Sequence, residues 1–421
     1  MPAAGARLRT APTELRLTFS EVPELTFTRL TLLGPAGDTV RLRPPALAGG
    51  DAHTVVAAID EKLPAGQFAV IWQTAGPDAH PIRGRYTFTV ATDGTADTAG
   101  AGETGAGVVA PGQARPPAAH HPSNTVDTDG STSFGAESPL FALVRWVLYA
   151  GLLLVVGTVV FHRVVLGRVR RSGGGTNALV VANASSRAAT LGLLGGGVLL
   201  IAVAARLVAQ SYAVHGAAGA LEPGLVVSML TLTVWGWGWL LQLGGTVLAL
   251  ASFTAVRTSP ASGWVGAELA AVLLSFTPAL SGHAVSTEGW VPAAVVADGL
   301  HVLGAGAWIG TLLLVVVVGL PVVLRLEPSQ RGPAAADLIN AFSPVALSAA
   351  GLLVLTGLLA AWMHAGTLPA LWQTGYGRTL LLKVGVLTVV VGTGAYNWRR
   401  VRPALGDEAG ARRIRKSATV E

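Results

Sequence analysis

The sequence contains no cysteine and only three methionines in 421 residues. The absence of cysteine excludes a disulfide framework, a thiolate zinc site and a cysteine redox pair. Any bond to a soft metal must therefore come from methionine, from one of the nine histidines, from a carboxylate or from a terminal amine.

Charged residues are also scarce. They make up 12% of the chain, whereas about a quarter of an ordinary soluble protein is charged, and 51% of the residues are hydrophobic with a mean hydropathy of +0.55. This composition indicates a membrane protein in contact with a lipid bilayer. The basic residues behind the net charge of +6 gather between apolar stretches, which indicates membrane topology rather than nucleic-acid binding.

Motifs of common catalytic chemistry do not stand out either. The sequence shows no Walker loop, no Ser-His-Asp signature and no His-Glu-x-x-His segment. We therefore expect the protein not to be an enzyme, and ATP is not evidently used.

Residues 1–92 differ from the rest of the chain. Short runs of alternating apolar and polar residues, such as Gln67-Phe-Ala-Val-Ile-Trp72 and Arg85-Tyr-Thr-Phe-Thr-Val90, are separated by glycine, proline and aspartate. This period of two predicts an antiparallel β-sandwich or barrel. Residues 93–137 consist mostly of Gly, Ala, Thr, Pro and Ser, so they are predicted to be a disordered linker.

Residues 138–402 are predicted to form a helical membrane domain, because an apolar helix of ~20 residues crosses a ~30 Å hydrocarbon layer. Seven stretches are long enough: 141–163, 189–211, 231–256, 264–284, 293–324, 338–363 and 379–399. Eight crossings are the alternative, since 293–324 is longer than one crossing needs and 225–234 could be a separate interfacial helix.

The basic residues predict the orientation of these helices. If residues 1–92 are extracytoplasmic, the inner connections carry most of the arginines, and the basic tail at 403–421 is cytoplasmic. This arrangement needs an odd number of crossings, which favours seven over eight.

Several motifs carry a resemblance to known families. The segments Pro77-Asp-Ala-His-Pro-Ile-Arg-Gly84 and Tyr86-Thr-Phe-Thr-Val90 resemble a CopC domain. The segments Ser281-Gly-His-Ala284, Asp298-Gly-Leu-His301 and Gly375-Tyr-Gly-Arg-Thr-Leu-Leu-Leu-Lys383 resemble CopD. The chain is thus similar to CopC/CopD fusion proteins of copper resistance and copper uptake. This resemblance implies an N-terminal Greek-key sandwich and copper transport, most often uptake, across the bacterial cytoplasmic membrane.

The start of the chain departs from the CopC pattern. The resemblance implies that an initial histidine, exposed after signal-peptide removal, binds Cu(II) together with the Asp and His of the Asp-x-His-Pro motif. Here the sequence opens with Met1-Pro-Ala-Ala-Gly5, which corresponds to a point inside that domain. We therefore expect the given start to be truncated or misassigned, and the outer site as given to bind copper weakly or not at all.

Asp78 and His80 are the candidate metal ligands of residues 1–92. Two residues apart in an extended chain, they lie on the same face and can reach one ion. Carboxylate and imidazole suit Cu(II). The alternative is a polar turn that binds no metal.

Asp298 and His301 are the main candidates within the membrane. An ionisable group in hydrocarbon costs at least ~2 to 3 kcal/mol, so it needs a partner or a role. Spaced at i and i+3, the two share one helix face, and His283 at the outer end of the preceding span can pair with His301. Asp298 either binds metal, orients the His301 ring, or merely hydrogen-bonds His301 as structural support.

Three further residues are possible accessory ligands at outer helix ends. They are His215, Met363 and His364, and the Met363 thioether suits Cu(I). The alternative is that they only solvate the helix ends. Arg145 and Arg206 are expected to reach the membrane interface, and no role is assigned to Lys383 or Glu268.

Three functions are compatible with this pattern. The first is a copper permease, in which the outer domain captures Cu(II) and imidazoles pass Cu(II) or Cu(I) through the membrane. The second is a haem-binding electron-transfer protein, and the third is a copper chaperone or sensor without transport. The direction of transport, the copper valence, the energy coupling and the oligomeric state stay open.

Overall fold

The computed structural model describes residues 2–76, 81–91, 138–282, 284, 290–365 and 369–396. The predicted linker at 93–137 and the predicted tail at 403–421 lie outside this part of the chain. Two units are present: a β-domain built from the first ninety residues and a helical domain that begins at Pro139.

The β-domain is a sandwich of two sheets. Its strands are β1 (Arg7–Leu8), β2 (Glu14–Thr18), β3 (Arg29–Leu33), β4 (Thr39–Val40), β5 (Ala46–Ala48), β6 (Asp51–Ala58), β7 (Gly66–Ala75) and β8 (Pro81–Val90). One sheet has the order β1-β8-β7-β3-β4 and the other the order β2-β6-β5. The sandwich prediction is confirmed, with one correction to the antiparallel expectation: the short edge strand β1 pairs parallel with β8.

The sandwich core follows from the period-two pattern. Phe68 and Val70 on β7 are fully buried, and Phe88 on β8 lies directly opposite Phe68 in the register. The two phenyl rings stack with centroids 5.4 Å apart. Alternate residues of a strand point to one face, so Phe68 and Val70 enter the core together.

The helical domain contains seven helices that are long and apolar enough to cross a membrane, which confirms the prediction of seven for the described residues and indicates a multi-pass membrane protein. They are α1 (Pro139–Arg171), α2 (Gly175–Gly219), α4 (Val234–Ala255), α5 (Pro260–Leu280), α6 (Val291–Val323), α7 (Pro328–Ala365) and α9 (Gly375–Tyr396). The shorter helices are α3 (Pro223–Leu232) and α8 (Ala370–Gln373).

Two features rule out the alternative of eight crossings. Residues Val291–Val323 form one continuous helix, in which Gly306–Gly310 and Val315–Gly319 have π-helical hydrogen bonding. Helix α3 has 10 residues, which span about 15 Å and cannot cross a ~30 Å layer.

Helix α2 begins at Gly175 rather than near residue 189. The polar residues that suggested a loop lie on the helix, where they find partners: Asn177, for example, donates to Asp337 Oδ2 on α7 at 2.8 Å. Hydropathy identifies only the apolar segment that can lie in lipid. The helix continues beyond that segment because its backbone hydrogen bonds also form outside the lipid.

Small residues allow α1 and α6 to pack closely. A Cβ atom at Gly310 would meet the Leu153 carbonyl oxygen and a Cβ atom at Gly157 would meet the Gly310 backbone. Close approach through glycine is the usual way for membrane helices to gain packing energy.

The β-domain contacts the C-terminal end of α2. There Gly216 adopts φ +72°, which breaks the helix and frees the preceding carbonyls. Gln73 donates to the Val214 carbonyl at 2.5 Å and Arg83 donates to the Ala213 carbonyl at 3.1 Å. The β-domain is therefore docked on the helical domain in addition to being joined through residues 92–137.

Candidate functional site

A cavity of about 440 Å³ lies where the β-domain meets the helical domain, and we call it the junction cavity. Its walls come from the β-domain side of the helix bundle: the first turns of α1, α4, α6 and α9 and the last turns of α2, α5 and α7. Pro81, the first residue of β8, completes the lining. Among its polar lining residues are Asp298, His301, Thr356, Arg145, Arg206 and Lys383.

His301 is positioned by a hydrogen bond from another helix. Its Nδ1 lies 2.8 Å from Thr356 Oγ1 on α7, and Thr356 Oγ1 donates to the Leu352 carbonyl at 2.8 Å. With the single Thr356 proton directed to the Leu352 carbonyl, the Thr356 oxygen accepts from the His301 ring, and we assign the ring tautomer on this basis. The proton is thereby assigned to Nδ1, and Nε2 keeps the lone pair that a metal needs.

Asp298 lies about one turn before His301 and lines the same cavity, as the i and i+3 spacing predicted. In the described part of the chain, no hydrogen bond joins Asp298 to the His301 ring, whose partner is Thr356. Thr356, which sequence reasoning missed, thus has the orienting position that was considered for Asp298. The Asp298 carboxylate is left to face the cavity.

Met363 lines the junction cavity two turns beyond Thr356 on the same face of α7. His364 lies on the same helix, and its side chain is outside the described residues. The cavity therefore contains a thioether, an imidazole and a carboxylate from two helices.

Three candidate ligands, Asp78, His80 and His283, lie outside the described residues. Their described sequence neighbours do line the junction cavity: Gly282 and Ala284 flank His283, and Pro81 directly follows His80. Among the described residues, no group of three or more His, Cys, Asp or Glu side chains is arranged to hold a metal ion.

His215 is placed differently from the expectation of a helix-end ligand. It is 9% exposed and packs against Phe27 of the β-domain, with ring centroids 6.3 Å apart. Its Nδ1 has no hydrogen-bond partner in the described structure, and it does not line the junction cavity. His215 is therefore neither solvated nor beside His301, because docking of the β-domain covers the end of α2.

Arg206 is a further residue that sequence reasoning placed wrongly. It does not reach the membrane interface, because neighbouring helices supply partners for its guanidinium inside the bundle. Arg206 donates to Gln242 Oε1 at 3.0 Å and to the carbonyl and hydroxyl oxygens of Ser281 at 3.0 and 2.8 Å. Its Cζ lies 5.4 Å from the centre of the Trp235 ring.

The opposite end of the bundle carries a separate polar cluster. The His162 ring stacks on Trp264 with centroids 3.6 Å apart, and its Nδ1 lies 3.0 Å from Ser185 Oγ. Glu268, which received no role from the sequence, forms an ion pair with Arg163 at 3.0 Å. These contacts tie α1, α2 and α5 together on that side.

Comparison with known proteins assigns families to three parts of the chain. The CopC domain model matches residues 1–91, the model of the copper resistance protein D-like N-terminal domain matches residues 136–294, and the copper resistance protein D model matches residues 336–421.

Individual relatives agree with this division. Copper transport protein CutJ of Bacillus subtilis (strain 168) is 24% identical over 408 residues, which are 95% of this chain and 67% of that protein. Copper resistance protein C of Escherichia coli is 38% identical over 86 residues, or 19% of this chain and 68% of that protein. Copper resistance protein D of Pseudomonas syringae pv. tomato is 27% identical over 299 residues, or 68% of this chain and 92% of that protein. The chain therefore belongs to the copper transport and resistance proteins that join a CopC domain and a CopD domain in one polypeptide.

Proposed function

We propose that this protein takes up copper across a bacterial cytoplasmic membrane, with the β-domain capturing the metal outside and the junction cavity receiving it. The observation that carries this proposal is the His301 ring. The hydrogen bond to Thr356 supports the tautomer with the proton on Nδ1, which leaves Nε2 as an electron-pair donor in a cavity at the boundary of the two domains.

The proposed direction of transfer follows from what surrounds this cavity. Asp78 and His80 are the proposed Cu(II) ligands, and the next residue in sequence, Pro81, lines the cavity. A bare cation does not cross hydrocarbon, so a series of exchangeable ligands is needed. His283, His301, Asp298 and Met363 are the proposed acceptors, and the thioether among them suits copper that arrives as Cu(I).

The proposed orientation rests on the distribution of basic residues. Arg168, Arg170 and Arg171 lie in the last turns of α1, at the end of that helix opposite to Phe141 and Arg145, which line the junction cavity. Arginine is enriched on the cytoplasmic side of membrane proteins. The β-domain is accordingly outside, and the carboxyl terminus is cytoplasmic.

Uptake of radioactive copper into liposomes that contain the purified full chain tests this function. We expect His301→Ala to lower the initial rate at least about tenfold, since losing one metal ligand or its support costs that much in related sites. His53→Ala, a histidine of β6 that does not line the cavity, serves as the control and should transport as wild type. Equal rates for wild type and His301→Ala would contradict the proposal and favour a chaperone or sensor, and a Soret band in the purified protein would favour the haem alternative.

A further inference from the structure

The junction cavity carries more positive than negative charge. Among its described lining residues, Arg145, Arg206 and Lys383 are basic and Asp298 is the one acidic side chain. With His301 neutral, this leaves a formal excess of two positive charges. A cavity that admitted only a bare copper cation would be expected to carry the opposite sign.

Arg206 is the clearest case of a charge without compensation. Its hydrogen bonds go to the Gln242 amide oxygen and to Ser281, which are neutral acceptors. In the parts of the chain that the structure describes, no carboxylate forms a salt bridge with it. A charge held inside a membrane protein is costly unless an opposite charge lies nearby, so a bound anion would stabilise this guanidinium.

Arg145 and Lys383 present the other two positive charges from different helices. Arg145 lies on α1 with its Cζ 5.5 Å from the Phe141 ring, and Lys383 lies on α9. Neither forms an ion pair among the described residues. The three basic groups therefore line the cavity from α1, α2 and α9, and none of them forms a salt bridge with a described carboxylate.

The volume of the cavity also exceeds what one ion needs. A water molecule occupies about 30 Å³, whereas the junction cavity measures about 440 Å³, which lies in the range of small-molecule sites, ~300 to 1,000 Å³. The space is large enough for a metal ion together with a small organic ligand.

We propose that the junction cavity binds a small polycarboxylate, and that copper enters it as a polycarboxylate complex of zero or negative charge. Arg145, Arg206 and Lys383 would hold the carboxylate groups, while His301 Nε2 replaces one carboxylate oxygen on the copper. In that exchange a copper–oxygen bond breaks, a copper–nitrogen bond forms, and no electron is transferred. The entry of copper as a polycarboxylate complex rests on the proposed function. The binding of the polycarboxylate itself does not depend on that function.

Calorimetric titration with copper-free citrate tests the anion site directly. The full chain is placed in nanodiscs of phosphatidylcholine, whose headgroup has no net charge. We expect citrate to bind wild type and to bind Lys383→Met about fivefold more weakly, the effect of one partly exposed charge of ~1 kcal/mol. Lys383→Arg, which keeps the charge, and Arg378→Gln, which removes a basic residue of α9 outside the cavity, should bind citrate as wild type does.

Two outcomes of the titration would overturn the proposal. One is the absence of citrate binding to wild type, and the other is equal binding by wild type and Lys383→Met. Phosphorus NMR in nanodiscs that contain phosphatidylglycerol tests whether the anion in the site is a lipid headgroup. If the lipid phosphate occupies the site in a Lys383-dependent way and citrate does not displace it, the polycarboxylate proposal is wrong.

Copper flux separates this inference from the proposed function. Liposomes receive copper either as its citrate complex or as the cationic bis-ethylenediamine complex. We expect faster uptake from the citrate complex in wild type and loss of that preference in Lys383→Met. Equal or faster uptake from the cationic complex would contradict the entry of copper as a polycarboxylate complex while leaving transport established. If neither complex is transported, the proposed function fails, and the citrate titration still decides whether the anion site exists.

Discussion

At the scale of single residues, the chemistry of His301 depends on a residue 55 positions away. The Thr356 hydroxyl donates to its own helix and lies 2.8 Å from His301 Nδ1, and the tautomer that we assign from this contact leaves Nε2 as the free ring nitrogen. Metal-bound histidines generally need such a partner to fix the tautomer and the ring orientation. Under the proposed function Thr356 is a positioning residue, because it would act on copper through His301.

Replacing Thr356 by valine tests this role with little change in volume. We expect Thr356→Val to lower copper uptake about tenfold, because the ring loses its acceptor and no longer presents Nε2 in a fixed orientation. Thr356→Ser keeps the oxygen atom and should restore most of the rate. The thermal unfolding temperatures of the three proteins should agree within a few degrees; a large drop for Thr356→Val together with failure of the serine variant would indicate a packing role instead.

The sequence revealed some of these residues and concealed others for a physical reason. Asp298 and His301 are conspicuous because ionisable groups are costly in an apolar helix, and both line the junction cavity. Thr356 is inconspicuous, since threonine commonly bonds to its own helix backbone. Arg206 was expected at the interface because its partners, Gln242 and Ser281, come from helices whose packing no local pattern predicts.

At the scale of elements, glycines of α1 and α6 determine how these two helices pack. Gly310 lies at the end of a π-helical segment of α6, and its Cα is so close to α1 that an added Cβ would meet the Leu153 carbonyl and Gly157. The same two helices carry Arg145, Asp298 and His301 on their β-domain side. Packing at Gly310 thus supports the helix that carries the candidate ligands.

Substitution of Gly310 by alanine tests this packing. We expect Gly310→Ala to destabilise the protein by about 1–3 kcal/mol, the usual effect of overpacking a close contact, measured as a lower unfolding temperature in detergent. Gly351→Ala on α7 is the matched control, because its added Cβ would meet no atom within 4 Å. Equal unfolding temperatures for the two variants would show that the close approach of α1 and α6 is not needed for stability.

Helix number was predictable, whereas helix length was not. Seven apolar stretches gave seven spans because each must match the thickness of the hydrocarbon layer. Helix α2 begins at Gly175 and continues to the break at Gly216, since a polar residue such as Asn177 bonds to another helix instead of ending α2. Hydropathy carries no signal for helical turns that lie outside the lipid.

At the scale of the whole molecule, the β-domain is docked on the end of the helix bundle that contains the junction cavity. Gln73 and Arg83 reach carbonyls that the break at Gly216 leaves free, and Phe27 covers His215. Gln73 and Arg83 look like ordinary strand residues in the sequence, so the docking surface could not be predicted from it. Its consequence is that Pro81, next to the proposed Cu(II) ligands, lines the same cavity as His301.

The central claim is that His301 can be reached from this cavity and binds copper through its free nitrogen. Modification with diethyl pyrocarbonate, which attacks unprotonated imidazole nitrogens, tests the claim in the full chain embedded in nanodiscs, with each histidine followed by peptide mass spectrometry. We predict that His301 is modified in the absence of copper and is protected as copper is added, while modification of His162 at the opposite end of the bundle does not depend on copper. A His301 ring that is never modified, or that reacts at the same rate with and without copper, would contradict the account.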